Sequence, residues 1–188
     1  MRIIAGSARG RQLAAFAGRD IRPTPDRVRE ALFSIIFSRL GSLSGCSVLD
    51  LFAGSGALGI EALSRGASHA RFVDHSRQAI GTIHENLRRC GLAGRATVQL
   101  ADLWQILPTL SGPFSLIFAD PPYAAGHGPR LLQEVSRYRL LAGEGLLCFE
   151  TAPADAVPER VASLQLLERR RYGSTMLHFF HHLPEELA

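Results

Sequence analysis

Between Val48 and Leu63 an apolar strand, Val48-Leu49-Asp50-Leu51-Phe52, turns through Ala53-Gly54-Ser55-Gly56 and continues as the apolar helical run Ala57-Leu58-Gly59-Ile60-Glu61-Ala62-Leu63. A strand that leaves its sheet through a helix points to an architecture of alternating strands and helices. The glycines let the backbone pass close to a ligand, and the start of the helix presents N–H groups that have no partner within it. The segment therefore reads as a nucleotide-type cofactor turn. Gly54-x-Gly56-x-x-Gly59 also satisfies the dinucleotide fingerprint, with Asp74 at the expected distance of about 20 residues to hold a ribose diol.

The alternation continues downstream. The sequence predicts helix at 57–64, strand at 70–74, helix at 77–89, strand at 96–100, a short helix from Asp102 and a strand at 114–119. Such an order specifies an α/β fold, a mostly parallel sheet with helices on both faces. The last third departs from it: 145–150 reads as a strand, and 164–171 and 175–181 flank Tyr172-Gly173-Ser174 as an antiparallel hairpin at the sheet edge. Upstream, 2–6 and 12–16 suggest a small β-hairpin turning at Ser7-Ala8-Arg9-Gly10. Thr24-Pro25 then opens a helix with the apolar stripe Val28, Ala31, Leu32, Ile35 and Ile36. With Gly41-Ser42-Leu43-Ser44-Gly45 as a linker, residues 1–40 form an N-terminal extension and 41–188 the main domain.

A chain of 188 residues with 46% hydrophobic content can bury a core as one compact unit. No apolar stretch approaches the roughly 20 residues of a membrane span, and Met1-Arg2-Ile3-Ile4 lacks a signal-peptide layout. Cys46, Cys90 and Cys148 are odd in number and widely spaced, so free thiols in a cytoplasmic protein are expected, with no metal site. A monomer is expected.

Asp50 argues about the ligand. In a dinucleotide site the pyrophosphate sits on the helix N-terminus, and an acid at the strand end would repel it. The same acid suits the ammonium of an amino-acid moiety. S-adenosylmethionine carries that ammonium, a ribose and an adenine, and no phosphate.

A second motif closes the strand Phe114-Ser115-Leu116-Ile117-Phe118-Ala119, which stops in Asp120-Pro121-Pro122-Tyr123. Proline has a fixed φ and no N–H, so the carbonyls of Asp120 and Pro121 are held out with few local amides to satisfy them. Two roles fit the loop. It either ends a strand, with Asp120 as a local cap, or grips an amino group: one N–H to Asp120, one to the Pro121 carbonyl, and the Tyr123 ring stacked on a base.

Together, the glycine turn, Asp74 and the Asp-Pro-Pro-Tyr loop resemble class I S-adenosylmethionine-dependent methyltransferases that act on exocyclic amino groups. Arg2-Ile3-Ile4-Ala5-Gly6, Arg9-Gly10-Arg11, the run from Arg22-Pro23-Thr24-Pro25 to Leu32-Phe33, and Tyr172-Gly173-Ser174-Thr175 are similar to the bacterial 16S ribosomal RNA guanine-N2 methyltransferase family over essentially the whole chain. The resemblance implies a Rossmann-like methyltransferase sheet, small-subunit ribosomal RNA as partner, and Asp120, Pro121, Pro122 and Tyr123 as the catalytic loop. It implies a cofactor set of Asp50, Phe52, Gly54, Gly56, Asp74 and Asp102, in which Gly54 and Gly56 wrap the methionine part, Asp74 takes the ribose hydroxyls and Asp102 faces the adenine amino group. The family often carries a further acid two positions after the ribose acid; here that position is Ser76.

Net charge is +4, and all 21 basic residues are arginine. Seven of them, Arg2, Arg9, Arg11, Arg19, Arg22, Arg27 and Arg29, precede Glu30, where only Asp20 and Asp26 offset them. An electropositive arm on a nearly neutral domain is the footprint of a nucleic-acid binder, with Arg9, Arg11, Arg22 and Arg27 as the expected RNA contacts. The competing reading is a solvated surface. His181, His182, Trp104 and Phe33 read as packing or surface residues, and His127 lies in a flexible-looking segment. Other functions compatible with the loop are adenine-N6 methylation and non-catalytic RNA binding on a methyltransferase fold.

Overall fold

A computed structural model of the chain describes residues 1–15, 26–121 and 127–183. Its elements run α1 (Asp26–Leu40), β1 (Ser47–Leu51), α2 (Ala57–Ser64), β2 (His69–Asp74), α3 (Arg77–Cys90), β3 (Ala96–Leu100), α4 (Leu103–Ile106), β4 (Phe114–Ala119), α5 (His127–Arg137), β5 (Leu141–Thr151), β6 (Arg160–Val161), β7 (Leu164–Tyr172) and β8 (Thr175–His182). The eight strands form one sheet in the order β3-β2-β1-β4-β5-β8-β7-β6. β1 to β5 are parallel neighbours, whereas β8 pairs antiparallel with both β5 and β7. Strand order reverses between β1 and β4, which opens a crevice at the carboxyl ends of those strands.

Each face of the sheet has its own core, as the two-residue period of a strand requires. Val48, Phe72, Leu116, Phe118 and Phe179 pack with Phe33, Ile36, Ile60 and Ile83 of α1, α2 and α3. Leu49, Leu51, Ile117, Leu147 and Phe149 face Leu103, Leu131, Leu132 and Val135 of α4 and α5. Gly59 allows α2 to lie this close to the sheet, because a Cβ there would come within 2.3 Å of the Phe72 ring.

Two elements were not expected. Helix α5 begins at His127-Gly128-Pro129, which reads as a loop; proline is tolerated in a first helical turn, and Leu131, Leu132 and Val135 supply the buried side. The short β6 pairs antiparallel with the start of β7. Among the described residues of the expected N-terminal hairpin, one antiparallel bridge forms, Arg2 to Gln12. Thr24 and Pro25, expected to open α1, lie outside the described residues.

The segment 1–15 is clamped onto the main domain instead of extending from it. Ile3, Ala8 and Leu13 are buried in the same cluster as Phe33 and Ile60. The fully buried Glu61 accepts from the N–H groups of Ile4 (2.8 Å) and Ala5 (3.0 Å) and from Arg65 Nε (2.7 Å). Ser64 Oγ accepts the Ala8 N–H at 2.9 Å and donates to the Ala5 carbonyl at 2.6 Å. Gly6, at φ 83°, passes so close to α2 that a Cβ would lie 1.9 Å from the Ser64 carbonyl oxygen.

Arg29 corrects the charge count of the arm. It is completely buried, its Nη2 donating to the Arg2 carbonyl (2.6 Å) and to Asp26 Oδ1 (2.8 Å), and burial lowers its pKa. Arg2, Arg9, Arg11 and Arg27 are exposed. No helix among the described residues is long and apolar enough to cross a membrane.

Candidate active site

Asp50, Asp74, Asp102 and Asp120 stand at the carboxyl ends of β1, β2, β3 and β4, and a fifth acid, Glu150, stands near the end of β5. Sequence reasoning missed Glu150, although the signal was the same one that marked the other four: an acid closing an apolar strand. Strand alternation puts Asp50, Asp120 and Glu150 on the α2 face, the phase shared by Val48, Phe118 and Cys148 in the core. They therefore crowd one side of the crevice.

The glycine turn is built around two of these carboxylates. Asp74 Oδ2 accepts the Gly54 N–H at 2.8 Å, and Asp74 Oδ1 accepts the Ser76 N–H at 2.8 Å. Each oxygen keeps lone-pair capacity toward the crevice. Ser76, in the place of the family's further acid, caps α3 by accepting the Ala79 N–H. Asp50 lies beneath the turn, where its Oδ2 accepts the Gly59 N–H at 2.9 Å. Phe52, Gly54 and Gly56 have φ of 57°, 55° and 75°, which folds the turn back over the strand end. Ala would be strained at Gly56, where a Cβ would also crowd Ile83 at 3.2 Å.

Asn86, fully buried on α3, ties this turn to the N-terminal segment. Its Nδ2 donates to the carbonyls of Ser55 (2.9 Å) and Ala14 (3.2 Å), and its Oδ1 accepts the Ala14 N–H (2.7 Å). Nothing in the sequence pattern marked it, because an asparagine inside an amphipathic helix looks like a surface residue.

The electrostatics select the ligand's charge. Burial pushes Asp50 up to about 8, against the Gly59 hydrogen bond and with a further push from Asp74. Asp120 is held well above the ordinary carboxylate range by burial, then by Glu150 and Asp50. Such a crowd is relieved by a cation and aggravated by an anion. A dinucleotide pyrophosphate would need the start of α2, yet there Asp50 already takes the Gly59 N–H. The residues present fit S-adenosylmethionine, whose sulfonium and ammonium bring positive charge.

The remaining expected residues are placed as follows. Asp102 is exposed and caps α4, accepting the Gln105 N–H at 3.2 Å. Asp120 is half-buried and Pro121 buried, at the mouth of the crevice. Pro122, Tyr123 and Arg22 lie outside the described residues. Trp104 packs on the α5-side core beneath the Arg130 guanidinium, 4.0 Å from the ring centroid. Cys148 is buried, Cys46 and Cys90 are half-buried, and all three are free thiols.

The profile of the family described as Conserved hypothetical protein 95 matches residues 1–181. YlbH of Bacillus subtilis strain 168 is 40% identical over 178 residues, covering 93% of this chain and 95% of that protein. The Escherichia coli K12 protein named Ribosomal RNA small subunit methyltransferase D is 34% identical over 173 residues, 92% of this chain and 85% of its own length. Among solved structures, a hypothetical protein of Thermus thermophilus superposes with a TM-score of 0.80 at 32% identity, over 97% of this chain and 99% of its own.

Proposed function

The chain belongs to the Conserved hypothetical protein 95 family, and from that membership we propose that it methylates the exocyclic N2 amino group of a guanine in small-subunit ribosomal RNA, in the cytoplasm and as a monomer. The observation that carries the reading is the crowd of Asp50, Asp120 and Glu150 beside the glycine turn, in which burial and neighbouring carboxylates push Asp50 and Asp120 up. Residues 1–40 serve as the RNA-facing extension and 41–188 as the catalytic domain.

S-adenosylmethionine, when bound, supplies an electrophilic methyl group on a sulfonium. Asp50 faces its ammonium, Phe52, Gly54 and Gly56 surround its methionine part, Asp74 accepts from its ribose hydroxyls and Asp102 from its adenine amino group. Positive charge in the crevice offsets the repulsion on Asp120 and keeps that carboxylate ionised.

A guanine amino group is a poor nucleophile because its lone pair is delocalised into the ring. Asp120 and the Pro121 carbonyl each accept one N–H, which favours a pyramidal nitrogen and aims its lone pair toward the methyl donor. Ionised Asp120 also stabilises positive charge that develops on the nitrogen. Tyr123 stacks on the base, and Pro122 keeps the loop stiff. The loop and the cofactor turn hold the reactants in line, so proximity accounts for much of the acceleration. No strong general base is required, because the methylated ammonium is acidic enough to lose its proton to water.

Cofactor identity is tested by calorimetry. The protein binds S-adenosylmethionine and not NAD. Asp74→Ala removes charged hydrogen bonds worth about 1.5–3 kcal/mol each and weakens binding at least about tenfold. Tight NAD binding, or an affinity unchanged in the variant, contradicts the assignment.

Arg9, Arg11, Arg22 and Arg27 contact the RNA backbone. Replacing Arg9 and Arg11 by Ala flattens the salt dependence of RNA binding by about one unit of slope for each phosphate no longer engaged, with cofactor affinity unchanged. A slope equal to that of the wild type returns these arginines to the role of a solvated surface.

A further inference from the structure

Glu150 and Thr151 are consecutive on β5 and project to opposite faces of the sheet. Behind the acids, on the Thr151 face, lies a cavity of about 620 Å³ lined by Pro129, Val157, Pro158, Arg169, Met176 and His178, among others. That volume lies within the range of small-molecule sites. Nothing in the reaction described above uses it.

Its polar equipment is specific. Thr151 Oγ1 donates its one proton to the Ala152 carbonyl at 3.0 Å. In the 3.0 Å contact between Thr151 Oγ1 and His178 Nε2 the imidazole must therefore be the donor. This fixes the tautomer and leaves His178 Nδ1 a bare acceptor, and that atom is buried with no hydrogen-bond partner among the described residues. Burial and the neighbouring Arg169 hold His178 down to about 4, so the ring stays neutral at physiological pH. Asp155, at the cavity wall, is the one acid that raises it. A buried neutral acceptor without a protein partner is suited to receive an N–H donor.

The flanking strand supplies charge of the other sign. Arg169 pairs with His178 and Arg171 with Met176 across β7 and β8, and paired residues share a face. Arg169 is fixed by a 2.8 Å bond to the Val157 carbonyl, and Arg171 by one of 3.3 Å from its Nε to the Gly173 carbonyl. Both arginines are exposed. Apolar proline faces, an N–H acceptor and the Arg169 guanidinium in the wall match a nucleotide: a planar heterocycle with N–H groups on its edge and a phosphate at its end.

We propose that this cavity is a second nucleotide subsite, which takes an unstacked RNA base adjacent to the methylated one, its N–H edge toward His178 Nδ1 and its phosphate beside Arg171. The inference rests on the reading of the chain as an RNA methyltransferase and extends the RNA footprint to the sheet edge remote from the N-terminal arm. It makes the enzyme hold two neighbouring nucleotides, one on each side of β5.

The test uses Ala156→Trp, which fills the cavity from an exposed loop, and Arg171→Glu, across the strand pair from the lining Met176. Neither position belongs to the core, and thermal melting verifies that both variants are folded. Filter binding to an unmodified 16S ribosomal RNA transcript is expected to weaken by about fivefold or more in each, as removal of one stacked base or one phosphate partner requires. Cofactor affinity by calorimetry stays at the wild-type value. In addition, guanosine 5′-monophosphate shifts the ring resonances of His178 in the wild type and not in Ala156→Trp. Wild-type RNA affinity in both variants overturns the subsite. Binding needs no methyl transfer, so a transcript that binds with this sensitivity yet is never methylated removes the enzymatic reading and leaves the subsite standing.

Discussion

Asp120→Ala is expected to lower methyl transfer by about a hundredfold or more while leaving the affinity for S-adenosylmethionine within about twofold of the wild type. The separation follows from position. Asp74 and the glycine turn, the proposed cofactor contacts, are tied to β1, β2 and α2, whereas Asp120 sits one strand away at the end of β4. In the proposed mechanism, removing its carboxylate deletes one of the two acceptors for the guanine amino group and the charge that stabilises the nitrogen during transfer. Asp120→Asn keeps an acceptor but no charge, so its rate should lie between the two. Single-turnover rates with saturating cofactor measure the effect. Wild-type turnover in Asp120→Ala would mean that the amino group is gripped elsewhere.

The largest effect on stability is expected at Glu61. Its buried carboxylate is the common acceptor for two backbone N–H groups of the N-terminal segment and for Arg65. Glu61→Ala leaves the two N–H groups without their acceptor and the guanidinium, which still stacks on Phe33, without its counterion, a loss of about 3–5 kcal/mol. For a domain of this size that lowers the melting temperature by roughly 6–20 °C. Glu61→Gln retains one acceptor oxygen and should lose less. The freed segment carries Arg9 and Arg11, so RNA binding by Glu61→Ala should weaken even at temperatures where the sheet stays folded. Melting within about 2 °C of the wild type would show that the segment is held by its apolar residues alone.

The parts of this molecule that follow local rules were legible in the sequence. Apolar runs located β1, β2, β4 and β5 because a buried parallel strand must be apolar on both faces, and Gly54 and Gly56 marked a turn at positive φ while Gly59 marked the close approach of α2 to the sheet. Asp50, Asp74, Asp102 and Asp120 were found because each interrupts or closes an apolar strand.

What escaped depends on tertiary contact. Glu61 looked like one polar residue on an apolar helix with an i,i+4 arginine, and only the docking of residues 4 and 5 reveals it as the clamp of the N-terminal segment. Asn86 looked like a surface residue until the Ser55 carbonyl and the Ala14 backbone met it. Arg29 carries the same formal charge as Arg27, yet one is buried and the other exposed, a difference that charge counting does not register. Helix α5 was hidden by Gly128-Pro129, whose loop-like chemistry is equally compatible with a helix start.

The most direct test of the account is the identity of the methylated nucleoside. The protein is incubated with isotopically labelled S-adenosylmethionine and unmodified small ribosomal subunits, and in parallel with their naked RNA, and the RNA is digested for nucleoside mass spectrometry. The chemistry of the Asp120 loop requires an exocyclic amino group that can leave its stack, so an accessible loop or bulge is a less costly target than a duplex. The account predicts labelled N2-methylguanosine from at least one of the two substrates. Labelled N6-methyladenosine in its place, or no label from a protein that binds the cofactor, would contradict it.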